Sequence, residues 1–209
     1  GLLVILPLAL YLFFFRREKS VEAHTPTSDG PQTGKLNKAF WITWVGFIAT
    51  ISTEFATAFW AAALVKDRTD ASAAISVIAI MALGTGMALG RIYGGRIMHK
   101  LSLDHQLIAV LILQLASFFG IWLSHNLAIS LVALLLNGLG ISMQFTLTSL
   151  RLISHSEGRP ELAIGKSSLA AGLAIGGAPF LLGVLGDNFG ISRAYMMVPT
   201  LILVAIAIV

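Results

Sequence analysis

The 209 residues are 56% hydrophobic and only 11% charged, where a soluble domain carries roughly 25% charged residues; with a mean hydropathy of +0.86, the chain belongs in a lipid bilayer. The absence of cysteine excludes a disulfide framework, a thiolate metal site and a cysteine nucleophile. A formal net charge of +4 comes without any basic stripe interleaved with aromatics, so nucleic acid is not an expected partner.

In chain order, GLLVILPLALYLFFF at 1–15 reads as the end of a membrane-spanning helix belonging to a preceding unit. The basic residues Arg16, Arg17 and Lys19 follow the apolar run, whereas in a signal peptide they precede it. The stretch 16–38 is polar, holds Pro26 and Pro31 and has no periodicity, which predicts a flexible linker. Residues 39–209 then carry six apolar runs, at about 39–65, 72–93, 105–124, 128–152, 164–186 and 194–209. The internal runs approach or exceed the roughly 20 residues that cross a bilayer, and only helices satisfy their own backbone in lipid, so the expected fold is an all-α, polytopic helix bundle. Assigning the loops alternately to two sides puts eleven of the 14 Lys and Arg residues on the linker's side and three, Lys66, Arg68 and Arg193, on the other. That bias predicts a cytoplasmic linker.

Of the ten acids, nine sit in loops or at span ends, and Glu54 alone lies deep in a run. A charge at that depth costs about 2.5–3.5 kcal/mol even on a lenient insertion scale. At 100° per residue, Thr43, Gly46, Thr50, Thr53, Glu54, Thr57 and Ala61 fall on one small, polar stripe. Two readings stay open: the stripe faces a water-filled cavity, or Glu54 is a neutral link to a neighbouring helix. A second polar face is expected from Asn137, Gln144, Thr148 and Arg151. Asn137 and Gln144 there either touch a solute or bond between helices, and Arg151 snorkels to the interface.

Gly86, Gly90 and Gly94 make two GxxxG steps and Gly172 with Gly176 a third, a spacing that lets helices approach closely. Pro179 predicts a bend of use in gating. Trp41, Trp44 and Trp122 lie near span ends and fit an aromatic belt, while Trp60 is placed either to cap a cavity or to anchor its helix. All five histidines lie in loops or at span ends, so no deep metal cluster or proton relay of histidines is expected. HExxH, GxSxG and GxxxxGK[ST] are missing, which argues against an intramembrane metalloprotease, a serine hydrolase and an ATP-driven machine. No enzymatic activity and no cofactor is expected.

Six helices after a basic linker, with GRIYGGRIMHK after the second of them, resemble the C-terminal half of a major facilitator superfamily transporter, over essentially the whole chain. That family carries a Gly-x-x-x-Asp-Arg-type loop motif after the second helix of each half, and Gly86, Gly90, Arg91, Gly95 and Arg96 are its counterpart, with Gly90 where the acid stands. AIGGAPFLLGVLGDNFGISRAY at 174–195 is similar to the family's eleventh helix and outward loop, and EFATAFWAA to the cavity-lining seventh helix of sugar and drug permeases. The resemblance implies a secondary transporter in the plasma or inner membrane that moves a small molecule by rocking against an N-terminal half of the same chain; proton coupling is expected, with Glu54 facing the translocation cavity and either binding substrate or carrying the coupling proton. Substrate or proton contacts are then expected at Glu54, Thr50, Thr57, Trp60, Asn137 and Gln144. A lipophilic-drug exporter would use Glu54 with Trp60 and phenylalanines, and a sugar or organic-solute permease would use Gln144, Asn137 and the threonines. A non-transporting sensor or scaffold is the alternative outside transport.

Overall fold

Short polar side chains set where the apolar runs begin to coil. A computed structural model describes residues 33–209, so the expected helix end at 1–15 and most of the 16–38 segment lie outside the described residues. Helix α1 (Lys38–Thr69) opens at Asn37, whose Oδ1 accepts a 2.8 Å hydrogen bond from the Phe40 N–H, and it ends at Asp70 in the left-handed region at φ 52°. Ser72 and Ser102 cap α2 (Ala73–Met98) and α3 (Leu103–Leu123) in the same way, and Asn126 caps α4 (Leu127–Ile141) by accepting from the Ala128 and Ile129 N–H groups. Helix α5 (Gln144–Ser154) precedes α6 (Pro160–Phe189), which starts on a proline that loses nothing in a first turn. The chain closes with α7 (Ile191–Ala194) and α8 (Met197–Ile208).

The fold is an all-α bundle with six helical segments long and apolar enough to cross a membrane: Lys38–Thr69, Ala74–Met98, Leu103–Leu123, Leu127–Ser154, Pro160–Phe189 and Ile191–Ile208. Two of the runs read as single helices are interrupted. The 128–152 run breaks at Ser142 and Met143, where two glycines, Gly138 and Gly140, weaken the helix and Ser142 Oγ donates back to the Leu139 carbonyl at 2.7 Å. The last span breaks at Tyr195 and Met196. Conversely, GRIYGGRIMHK is helical as far as Met98, so Gly90, Arg91, Gly95 and Arg96 stand on the last turns of α2 and the connecting turn is only 99–102.

Helix α1 occupies the centre and touches every element that follows it. Residues 49–53 of α1 are buried without interruption. Helix α4 forms a second axis, with α2 on one side and α3 on the other. Lipid tails are as apolar as leucine, so close packing rather than hydrophobic drive holds such helices together. The sequence spends its smallest residues there. A Cβ added at Gly86 would run into the Leu135 carbonyl oxygen, at Gly90 into Ser142 Oγ, and at Gly138 into the Leu83 carbonyl oxygen. On α6 the packing expectation is not met among the described residues: a Cβ added at Gly172 or Gly176 would have nothing within 4 Å. Helix α6 instead approaches α1 through an alanine ridge, Ala163, Ala170, Ala174 and Ala178, which shares faces every fourth or seventh residue and is buried throughout. Large apolar side chains such as Phe180 and Ile97 point outward, at 73% and 76% exposure, as they do where the surrounding medium is lipid.

This division of the glycines predicts unequal costs along one helix. Gly86→Ala forces backbone against backbone and should destabilise the protein by about 1–3 kcal/mol, whereas Gly95→Ala, with open space around it, should stay within about 0.5 kcal/mol of wild type. Thermal unfolding of the two variants in detergent reads the difference.

Candidate functional site

Glu54 sits at the middle of α1, 16 residues from its first residue and 15 from its last, hence about 24 Å and 22 Å along the axis. Phe40, Thr43, Phe47, Thr50, Thr57 and Ala61 share its face of the helix and are buried, while Glu54 and its i+4 neighbour Ala58 are partly buried. No hydrogen bond and no ion pair within 4 Å holds its carboxylate among the described residues. Arg91 on α2 is the charge that acts on it electrostatically. A carboxyl held this way, central, partly open and unpaired, is free to exchange a proton or meet a cation.

The threonines expected beside it in a cavity are placed differently. Thr50 and Thr57 are buried at 1% and 3% exposure, inside the bundle. Thr43 Oγ1 donates to the Ala39 carbonyl at 3.0 Å and Thr50 Oγ1 to Phe47 at 2.9 Å, so these hydroxyls satisfy themselves on their own backbone. Tyr195, fully buried, bonds its hydroxyl to the carbonyls of Ala56 and Thr57 at 3.4 and 3.3 Å, and stacks on Phe118. What the polar stripe of α1 faces is other helices. The gap beside it, bordered by Thr43, Thr50, Thr148 and Arg151, measures ≈ 10 Å³.

Asn137 and Gln144 are also interior, and they are brought together by a residue that sequence reasoning missed. Gln114 of α3 lies between α1, α4 and α5. Its Nε2 donates to Thr53 Oγ1 at 3.1 Å, its Oε1 accepts from Gln144 Nε2 at 2.7 Å, and its backbone carbonyl accepts from Asn137 Nδ2 at 3.1 Å. Asn137 also reaches Ser117 Oγ at 3.0 Å. Thr53, Gln114, Asn137 and Gln144 tie α1, α3, α4 and α5 together across the break at Ser142 and Met143. The signal was present, because Gln114 is the one amide in the middle of the apolar run LIAVLILQLASFF; only its partners, 61 residues upstream and 30 downstream, were invisible.

Trp60 and Arg151 are likewise engaged. The Trp60 indole N–H donates to the Pro179 carbonyl at 3.0 Å, and its ring lies over Gly183. It therefore anchors α1 to α6 and does not cap an open space. Proline 179 has no N–H for the carbonyl of Ile175, which loosens the α6 ladder just where Trp60 attaches. Arg151, expected to snorkel, is 12% exposed and pairs with Asp104 of α3 while donating to the Ile208 and Val209 carbonyls at the end of α8. Trp44 and Trp122 bond inward as well, to the carbonyls of Lys166 and Ser192, and Arg68 lies 5.4 Å from the Trp122 ring. Among the described residues no group of three or more His, Asp or Glu is arranged to hold a metal ion.

Six membrane-length helical segments, five of them gathered around the central α1 with its half-buried carboxyl, define an integral membrane protein of the polytopic helix-bundle class. Residues 1–159 match the family model of the Major Facilitator Superfamily, so the chain belongs to that superfamily, whose members are membrane transporters and not enzymes. The match runs through α5 and stops just before α6. No curated protein matches the chain.

The role of Gln114 as a hub is measurable. Because each interhelical bond in a membrane protein averages only about 0.6 kcal/mol with a maximum near 1.7, a double-mutant cycle of Gln114→Leu with Gln144→Leu should return a coupling of about 0.6–1.7 kcal/mol in unfolding experiments. A cycle of Gln114→Leu with Thr85→Val, which bonds only to its own helix, should return none.

Proposed function

We propose that the protein is a proton-coupled secondary transporter that moves a small molecule across the plasma or inner membrane by alternating access, with Glu54 as the group that loads and releases the proton or meets a cationic substrate. The observation that carries this reading is the position of Glu54: mid-helix, half-buried and without a hydrogen-bond or ion-pair partner among the described residues. An ionised group costs too much at that depth to be retained for packing alone. Rocking of the six-helix unit against an N-terminal half of the same chain, with the 16–38 segment between them, would expose Glu54 to one side and then the other.

Between the two kinds of substrate, the geometry favours a lipophilic cation. The amides around Gln114 and the Thr50 hydroxyl are engaged inside the bundle, and Thr57 Oγ1, Asn137 Oδ1 and Gln144 Oε1, which have no hydrogen-bond partner, are buried, which leaves Glu54 as the partly exposed polar group among them. Orientation follows from charge: Lys35, Lys38, Arg96, Lys100, Arg159 and Lys166 gather toward one end of the bundle and Lys66, Arg68 and Arg193 toward the other, which supports a cytoplasmic location for the first.

In energised cells expressing the full-length protein, efflux of a fluorescent lipophilic cation should exceed that of empty cells, and Glu54→Gln at matched expression should lower it at least tenfold. Equal efflux by wild type and Glu54→Gln would remove Glu54 from the coupling mechanism. No efflux from either, together with proton-driven uptake of a neutral solute, would move the substrate to the sugar or organic-solute class. Flux of neither kind would favour a sensor or scaffold.

A further inference from the structure

Helices α2 and α3 are joined by the short turn at 99–102, yet they barely touch; each packs on α4 instead. Between them remains a groove of ≈ 510 Å³. Its walls include Leu89, Tyr93 and Ile97 of α2 and Leu113 of α3, its floor is Leu139 of α4 and Met143 in the break that follows α4, and no charged residue lines it. From Leu89 to Ile97 the groove follows α2 for about 12 Å, close to the roughly 15 Å of hydrocarbon in one leaflet.

The chain just past this groove is basic. Arg96 and Lys100 stand three residues beyond Tyr93 and Ile97, both exposed, and neither is in a salt bridge among the described residues. Asp104, the single acid between residues 72 and 156, is taken by Arg151. His99 turns its Nδ1 to the Arg96 carbonyl at 2.6 Å, closing the end of α2. Two exposed cations without a salt bridge, each three residues past a groove-lining residue of α2 and with no free acid between them, complement a ligand with an anionic head and a hydrocarbon tail.

We propose that the α2–α3 groove is a binding site for one anionic phospholipid, its acyl chain lying along Tyr93, Ile97 and Leu113 and its phosphate between Arg96 and Lys100. The site is separate from Glu54 and does not depend on which solute the protein moves. Close packing of α2 on α4 through Gly86, Gly90 and Gly94 forms the floor beneath the chain, so the lipid would act as the missing contact between α2 and α3.

The test uses the full-length protein reconstituted in nanodiscs of phosphatidylcholine with one-fifth phosphatidylglycerol, released into mild detergent and examined by native mass spectrometry. Wild type should retain one phosphatidylglycerol in preference to phosphatidylcholine. Arg96→Gln with Lys100→Gln should weaken that preference by about fivefold per cation removed, while Lys66→Gln with Arg193→Gln, at the other end of the bundle, should leave it intact. Ile97→Trp, at a position 76% exposed and therefore tolerant of size, should displace the lipid by filling the groove. Equal retention of the two lipids by wild type, no retained lipid at all, or undiminished preference in the Arg96/Lys100 variant would overturn the proposal.

Discussion

A helix surrounded by other helices in a medium without water has to satisfy its polar groups from within, and α1 is such a helix. Thr43 and Thr50 turn onto their own carbonyls, Thr53 shares its hydroxyl with Gln114, and Tyr195 arrives from the last span to bond to the carbonyls of Ala56 and Thr57, while the Thr57 hydroxyl is buried without a partner. The rest of the half is arranged around this requirement. Gln114 draws α3 toward α1 and holds both sides of the broken fourth span, Trp44 and Trp60 attach α6 by their indole N–H groups, and Arg151 fastens the ends of α3, α5 and α8. An unpaired amide or hydroxyl in such an interior costs about 1–3 kcal/mol, which makes these contacts a matter of specificity as much as of stability.

Against that background Glu54 is distinguished by what it lacks. It is the most expensive side chain on α1 to place at mid-membrane, and it shares a face with residues that are closed off, but no donor or cation grips it directly. The Arg91 charge reaches it from α2, and α2 itself is fixed against α4 by glycines that leave no room for a side chain. The packed contacts therefore hold the neutral polar groups of α1, and its carboxyl is left half-buried without a direct partner.

Much of this architecture was legible in the chain. Apolar runs of 20 or more residues have one solution in lipid, so the six spans and their all-helical character followed from length and composition. Less legible was which face of a span meets protein. The α1 stripe of Thr43, Thr50 and Thr57 has the same spacing whether it lines water or packs on a neighbour, and burial decides for the neighbour. Spacing also failed on α6, where Gly172 and Gly176 look like a packing motif but the ridge that packs is made of alanines, a residue too common in membrane helices to stand out. The Gln114 hub joins residues far apart in sequence, and no local pattern announces a partner 61 positions away. The helix break at Ser142 and Met143 depends on a serine hydroxyl bonding back to Leu139, a choice that the tertiary setting makes.

The central claim is that the carboxyl position at the middle of α1 is reached by water while its polar neighbours are sealed inside the half. Because the chain contains no cysteine, single cysteines at Glu54, Thr53 and Asn137 can be compared in the full-length protein with a small, hydrophilic thiol reagent, any cysteines elsewhere first replaced. The account predicts rapid labelling at position 54 and little at 53 and 137. Protection of position 54 equal to that of position 53 would contradict it, and would return Glu54 to the role of a neutral link between helices.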